Sequence, residues 1–262
     1  MATIDQSSDI EVSEEVIEKV SSPETLSIWG LAWPSIIANI LFAAVGIVGL
    51  KAVGALGTEA LAAVGTGQRI FFVIQSLIMA VSTGTTALIA RAYGSGKKNE
   101  AAQVLFDSLW IGVILGLCTT FIVWIYGEDI IGLFGLNEQS KNLAIDYLKY
   151  SMLFSAMFSA SFIFGAALRA AGDAKTPLVI MIFQNIINVF LLIGLVNGSF
   201  GLPNLGVLGA ALAWGISFTI GTIIFLFLWL SKLTIIPFPN FNSFNTNRIK
   251  LILKIATPAT IE

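Results

Sequence analysis

The stretch TPLVIMIFQNIINVFLLIGLVNGSFGLPNLGVLGAALAWGISFTIGTIIFLFLWLS, residues 176–231, contains no charged side chain. About 20 apolar residues carry a helix across a bilayer core roughly 30 Å thick, so this run is long enough for two passes. Turn-forming residues, Asn197-Gly198-Ser199 and Gly201-Leu202-Pro203-Asn204, divide it near its middle. Upstream, charge-free segments run from Thr25 to Leu50, Ile70 to Ala90, Ser108 to Gly127 and Tyr150 to Leu168. The chain is therefore read as an all-α integral membrane protein with a lobe of six transmembrane helices. A further apolar segment begins near Lys250 and reads as the start of a seventh. The expected divisions are a tail at 1–24, the lobe at 25–231, a loop at 232–248 and the opening of a second lobe at 249–262.

Composition agrees. Hydrophobic residues make up 56% of the 262 residues and charged ones 11%, less than half the share in a soluble domain. There is no histidine, which removes the commonest general base and metal ligand. The lone Cys118 has no partner for an internal disulfide and reads as a small buried hydrophobe. No basic stripe offers a nucleic-acid surface. A membrane-embedded enzyme would need clustered His, Asp or Ser–Lys pairs at membrane depth, and the spans hold none. The tail carries seven acids against Lys19, the opposite of a signal peptide's basic start.

Loop charges predict the orientation. Arg91, Lys97 and Lys98 share one face with Arg169, Lys175, Lys232 and Arg248, while Glu59, the helix-end Arg69 and a mixed third connection fall on the other. Positive residues favour the cytoplasm, which puts the N-terminus inside, in a plasma or inner membrane. Caps are expected at Thr58, Asn137 and Thr176, with Pro177 in a first helical turn. A faint repeat pairs Ile28, Leu31, Ala32 and Pro34 with Ile252, Ile255, Ala256 and Pro258. Six spans per unit would give a parallel repeat about an axis along the membrane normal.

Three segments carry a resemblance: Val53 to Ala63, Gly165-Ala-Ala-Leu-Arg-Ala-Ala-Gly-Asp-Ala-Lys-Thr-Pro177, and Leu205 to Ala213. Together they resemble the multidrug and toxic compound extrusion (MATE) transporters. The resemblance implies twelve helices in two six-helix lobes, of which this chain would be the N-terminal one. It implies export of small organic, often cationic compounds in exchange for protons or sodium ions, with no other cofactor. Acids that many members carry in helices one and five correspond here to Gly49 and Asn188. A frequent threonine at the start of helix six is Trp214. No Asp or Glu falls in the middle of a span by this reading, Asp107 being placed at an end, so the lobe offers no obvious proton site, and coupling would fall to Glu262, to a second lobe or to sodium held by neutral oxygens.

Gln184 and Asn188 lie one turn apart on one face of span five, beside Asn185. Polar side chains in hydrocarbon are costly, so they either bind helices together or line a substrate or ion cavity. Asn39 and Gln75 present the same choice. Lys51 is expected to snorkel to the outer interface. Arg169, Asp173 and Lys175 either fix topology or form a cytoplasmic ion-pair gate. Phe71, Phe72, Phe154, Phe158, Phe162 and Phe164 either face lipid, the expected fate of most, or line a pocket for flat cations. The partners implied are the bilayer, a small organic substrate and a second six-helix lobe. Two alternatives stay open: a lipid-linked sugar flippase of the same superfamily, which would want basic residues inside the spans, and a non-transporting fragment.

Overall fold

The computed structural model describes residues 28–239 and 246–256. The acidic tail, Pro258 and Glu262 lie outside them. The described helices are α1 (Ile28–Gly54), α2 (Thr58–Gly94), α3 (Lys98–Gly132), α4 (Glu138–Leu153), α5 (Ser155–Ala170), α6 (Lys175–Asn197), α7 (Gly206–Leu230) and α8 (Thr246–Ala256). Five are long and apolar enough to cross a membrane, and α4 with α5, bent by 52°, makes a sixth span. The expected six-span, all-α lobe is what forms. Its helices are longer than the charge-free runs: α2 has 37 residues and α3 has 35, or roughly 50–55 Å at 1.5 Å per residue. Arg69 consequently lies well inside α2, on an exposed face, and not at a helix end as expected.

α6 packs along both α1 and α7, α3 lies against α2 and α5, and α4 leans on α2. One apolar core joins Val81, Leu105, Phe164, Phe225 and Ile252, and another joins Val53, Val64, Leu192, Val196 and Ala211. Phe121, Trp124, Phe227 and other large apolar side chains point outward, as a bilayer-facing surface requires. Cys118 belongs to that outward face and is exposed, correcting its expected burial.

The 52° bend at Phe154 contains no proline or glycine. Its cause is hydroxyl insertion from the neighbouring helix. Thr120 on α3 donates to the Met152 carbonyl, and Ser155 donates to the Gly116 carbonyl at 2.6 Å. The Thr120 bond supplies a partner for a carbonyl that the break frees, and the Ser155 bond ties the break to α3. Two glycines make the close fit possible. A Cβ on Gly116 would come within 2.6 Å of the Ala156 backbone, and one on Gly215 would overlap the Phe154 ring.

Helix ends follow local chemistry, with two corrections. Asn137 caps α4 as expected, accepting from the Ser140 N–H at 2.8 Å. Thr58 opens α2 but does not cap it; the capping position is Gly57, with φ 112°. α6 starts at Lys175, and Asp173 takes the capping role expected of Thr176, accepting the Thr176 N–H at 3.0 Å. Gly198, with φ 70°, ends α6 in the left-handed conformation, as its turn residues indicate.

Asp107 requires the largest correction. It sits in the third turn of α3, 1% exposed, and Arg248 of α8 donates to it through Nε at 2.9 Å. Arg248 also donates to Gln103, one turn from Asp107. A Cβ on Gly84 would meet the Ile252 carbonyl at 2.7 Å, so α8 is seated directly on the α2 backbone. Ion pair and close approach together fix α8 to the six-span lobe.

Candidate functional site

The interior of the lobe holds a neutral polar group beside a cluster of rings. Gln184, in the middle of α6, is 5% exposed, and its Nε2 donates to Ser161 Oγ of α5 at 3.0 Å. Its amide packs directly on Gly221 of α7, where any Cβ would overlap it. Such a neutral bond stabilises by about 1 kcal/mol net. Asn188, one turn on, is 8% exposed and makes no hydrogen bond to the described residues. The Asn185 Nδ2 beside it is buried with no acceptor. α6 therefore presents a stripe of amides with unused capacity inside a membrane-spanning bundle.

The rings belong to three helices. Phe158 stacks on Trp214 at 5.2 Å and on Phe162 at 5.7 Å, and meets Phe218 edge-on at 4.9 Å. Phe71 of α2 closes the group, 4.7 Å from Trp214. Offset and edge-to-face pairs at these separations each contribute about 0.5–1.5 kcal/mol beyond their burial. The two groups adjoin: Ser161 stands between Phe158 and Phe162 on α5, and Gly221 lies one turn beyond Phe218 on α7. α6 and α7 run antiparallel, Gln184 opposing Gly221 and Leu195 opposing Gly209. That register sets Asn188 level with Ser217 and Phe218.

Of the candidate residues, the structure brings Gln184 and Asn188 together. Gln75 is buried on α2 without a hydrogen bond to either, and Asn39 lies on an exposed face of α1. Arg169, Asp173 and Lys175 form no ion pair with one another; Asp173 caps α6, and the Arg169 side chain lies back along α5 over Gly165. Lys51 is exposed in the last turn of α1, where it can snorkel. The expected lipid-facing fate of the phenylalanines holds for Phe72 alone among the six; Phe158 and Phe164 are buried and the others half-buried. Ser161 escaped the sequence reading because a serine among small residues gives no signal until its partner is placed. No group of His, Cys, Asp or Glu that could hold a metal occurs among the described residues. Nor is any lysine or arginine buried among them.

Comparison with known proteins agrees with this architecture. The MatE family model matches residues 34–193. The chain is 32% identical over 233 residues to the probable multidrug resistance protein YoeA of Bacillus subtilis, covering 85% of the chain and 49% of that protein. It is 29% identical over 192 residues to a probable multidrug resistance protein NorM of Thermotoga maritima, covering 73% and 41% respectively. A solved MOP superfamily transporter from Pyrococcus furiosus superposes with a TM-score of 0.81 over 88% of this chain and 51% of its own, at 24% identity. The chain thus spans about half the length of the curated relatives it matches. On the family match and the resemblance to YoeA, the chain belongs to the MATE family of membrane transporters.

Proposed function

We propose that the chain is one lobe of a secondary-active exporter of small organic compounds, driven by exchange for protons or sodium ions. The substrate enters a cleft near the bilayer midplane, where Gln184 and Asn188 bind it, and access alternates as this lobe rocks against a second one. The protein resides in the plasma or inner membrane, with the Arg91–Lys98 and Arg169–Lys175 connections in the cytoplasm. Transport, and not catalysis, is its activity. The observation that carries the reading is the buried amide stripe of α6 with unused hydrogen-bonding capacity beside a ring cluster. Ligand sites in membrane bundles combine such features, apolar walls with a few convergent polar groups. The relatives named for multidrug resistance support the same class of activity. A flippase for lipid-linked sugars would want buried basic groups against a pyrophosphate, and none occurs among the described residues.

Reconstitution tests the reading. Proteoliposomes carrying the chain together with a second six-helix lobe are loaded with flavone or with ethidium, and efflux under an imposed proton or sodium gradient is compared with the passive leak from protein-free liposomes. Gradient-driven efflux of either probe is expected, falling several-fold when Gln184 and Asn188 are both replaced by alanine. Unchanged efflux by a well-expressed double variant would remove the pair from the site.

A further inference from the structure

From the neutral side chains that meet between α5, α6 and α7 among the described residues, we infer that the lobe selects uncharged, flat aromatic compounds bearing a carbonyl-type acceptor over flat cations. The inference rests on the site proposed above and names the chemistry that it takes. The side chains that meet there are amides, hydroxyls and rings: Gln184, Ser161 and Asn188 beside Phe158, Trp214 and Phe218. None of these groups ionises, so a cation entering the bundle would shed its water without gaining a counter-charge. Ring faces attract cations, but this attraction is small against the loss of hydration. An uncharged ring system meets no such penalty, and it can take the place that one ring of the cluster holds on another.

The polar partners are also biased toward one kind of ligand atom. Asn185 Nδ2 is a buried donor without an acceptor on the α6 face that it shares with Leu192, toward α1, so the amide turned toward the rings is that of Asn188, which makes no hydrogen bond to the described residues. A buried donor left unmade costs more than a made one returns, so a ligand that brings an acceptor gains by satisfying it. Half-burial of Phe162, Trp214 and Phe218 leaves one side of the cluster open to an incoming plane. Trp214 offers the largest face of the group, and its 24° tilt to Phe158 is the stacked geometry that a flat guest would reproduce.

Equilibrium dialysis of the chain in lipid nanodiscs, against empty nanodiscs, tests the selection with flavone and ethidium as matched planar probes. Flavone is expected to bind at least tenfold more tightly than ethidium. Trp214→Ala should weaken flavone at least tenfold, whereas Trp214→Phe, which keeps a ring, should stay within threefold of the parent. Asn188→Asp, which adds one negative charge at the same level, should reverse the order of the two probes. Ethidium binding as tightly as flavone to the parent chain overturns the inference but leaves the site standing. Affinities for both probes that ignore Gln184→Ala, Asn188→Ala and Trp214→Ala alike overturn the site itself, and the inference with it.

Discussion

Two polar groups inside this lobe are built on opposite plans. Buried Asp107 pairs through Oδ2 with half-buried Arg248, 141 residues away in sequence, while its Oδ1 has no partner among the described residues. Gln184, Ser161 and Asn188 are neutral, and they stand on helices that are close in the chain. Charge in a low-dielectric setting is costly unless paired, but a made pair is also costly to break. It suits a contact that holds one element in a fixed place. Amides cost little to uncover and can exchange one partner for another, which suits a group that a ligand must reach. The lobe uses the buried charge of Asp107 to seat α8 and keeps the group between α5, α6 and α7 neutral.

The largest effect should follow from breaking the charged group. Arg248→Ala leaves Asp107 buried with both oxygens unpaired and is expected to destabilise the lobe by about 3–5 kcal/mol. Thermal unfolding in detergent would read this. Replacing both partners, Asp107→Ala with Arg248→Ala, should recover most of the loss, because no orphan charge remains. A double variant no more stable than Arg248→Ala would show that the pair does not act as a unit.

Next comes the bend that aligns α5 with the ring cluster. Gly116→Ala brings a Cβ against the Ala156 backbone, which cannot yield as a flexible side chain would. It should cost about 1–3 kcal/mol, the usual penalty of overpacking. If α5 positions the rings, flavone binding should weaken along with stability. A drop in stability alone would separate the bend from the site.

These two features also mark where sequence reading stops. The six spans, the break at Asn197–Asn204 and the Asn137 cap were legible because hydropathy and turn chemistry are local properties. Asp107 looked like a residue at a helix end, since the charge-free run begins at Ser108 and its partner stands far along the chain. The bend at Phe154 was not legible, because it arises from the hydroxyl of Thr120 on another helix and from no proline or glycine of its own. For the site, the α6 face of Gln184 and Asn188 could be read from their spacing. Ser161 and the stacking of Phe158 on Trp214 could not, because each exists only once three helices are packed.

A smaller change in stability is expected at the neutral group. Gln184→Ala removes one hydrogen bond to Ser161 and should cost about 1 kcal/mol. Its effect on flavone binding should exceed its effect on unfolding, which is the reverse of what Arg248→Ala should show. Equal ranking of the two variants in both measurements would erase the functional contrast between the regions.

Cys118 supplies the lower end of the scale. Its side chain is exposed on the outward face of α3, touching neither polar group, so Cys118→Ala should shift stability by less than about 0.5 kcal/mol. That face meets lipid, into which a charged reagent does not partition. A charged maleimide should therefore leave Cys118 unmodified in intact membranes, although none of the described residues covers it. Rapid labelling there would put water against α3 and undo the assignment of this face to the bilayer. Exposure on the apolar faces of the spans then means contact with lipid, and it is the interior polar groups, paired or neutral, that decide what the lobe holds still and what it binds.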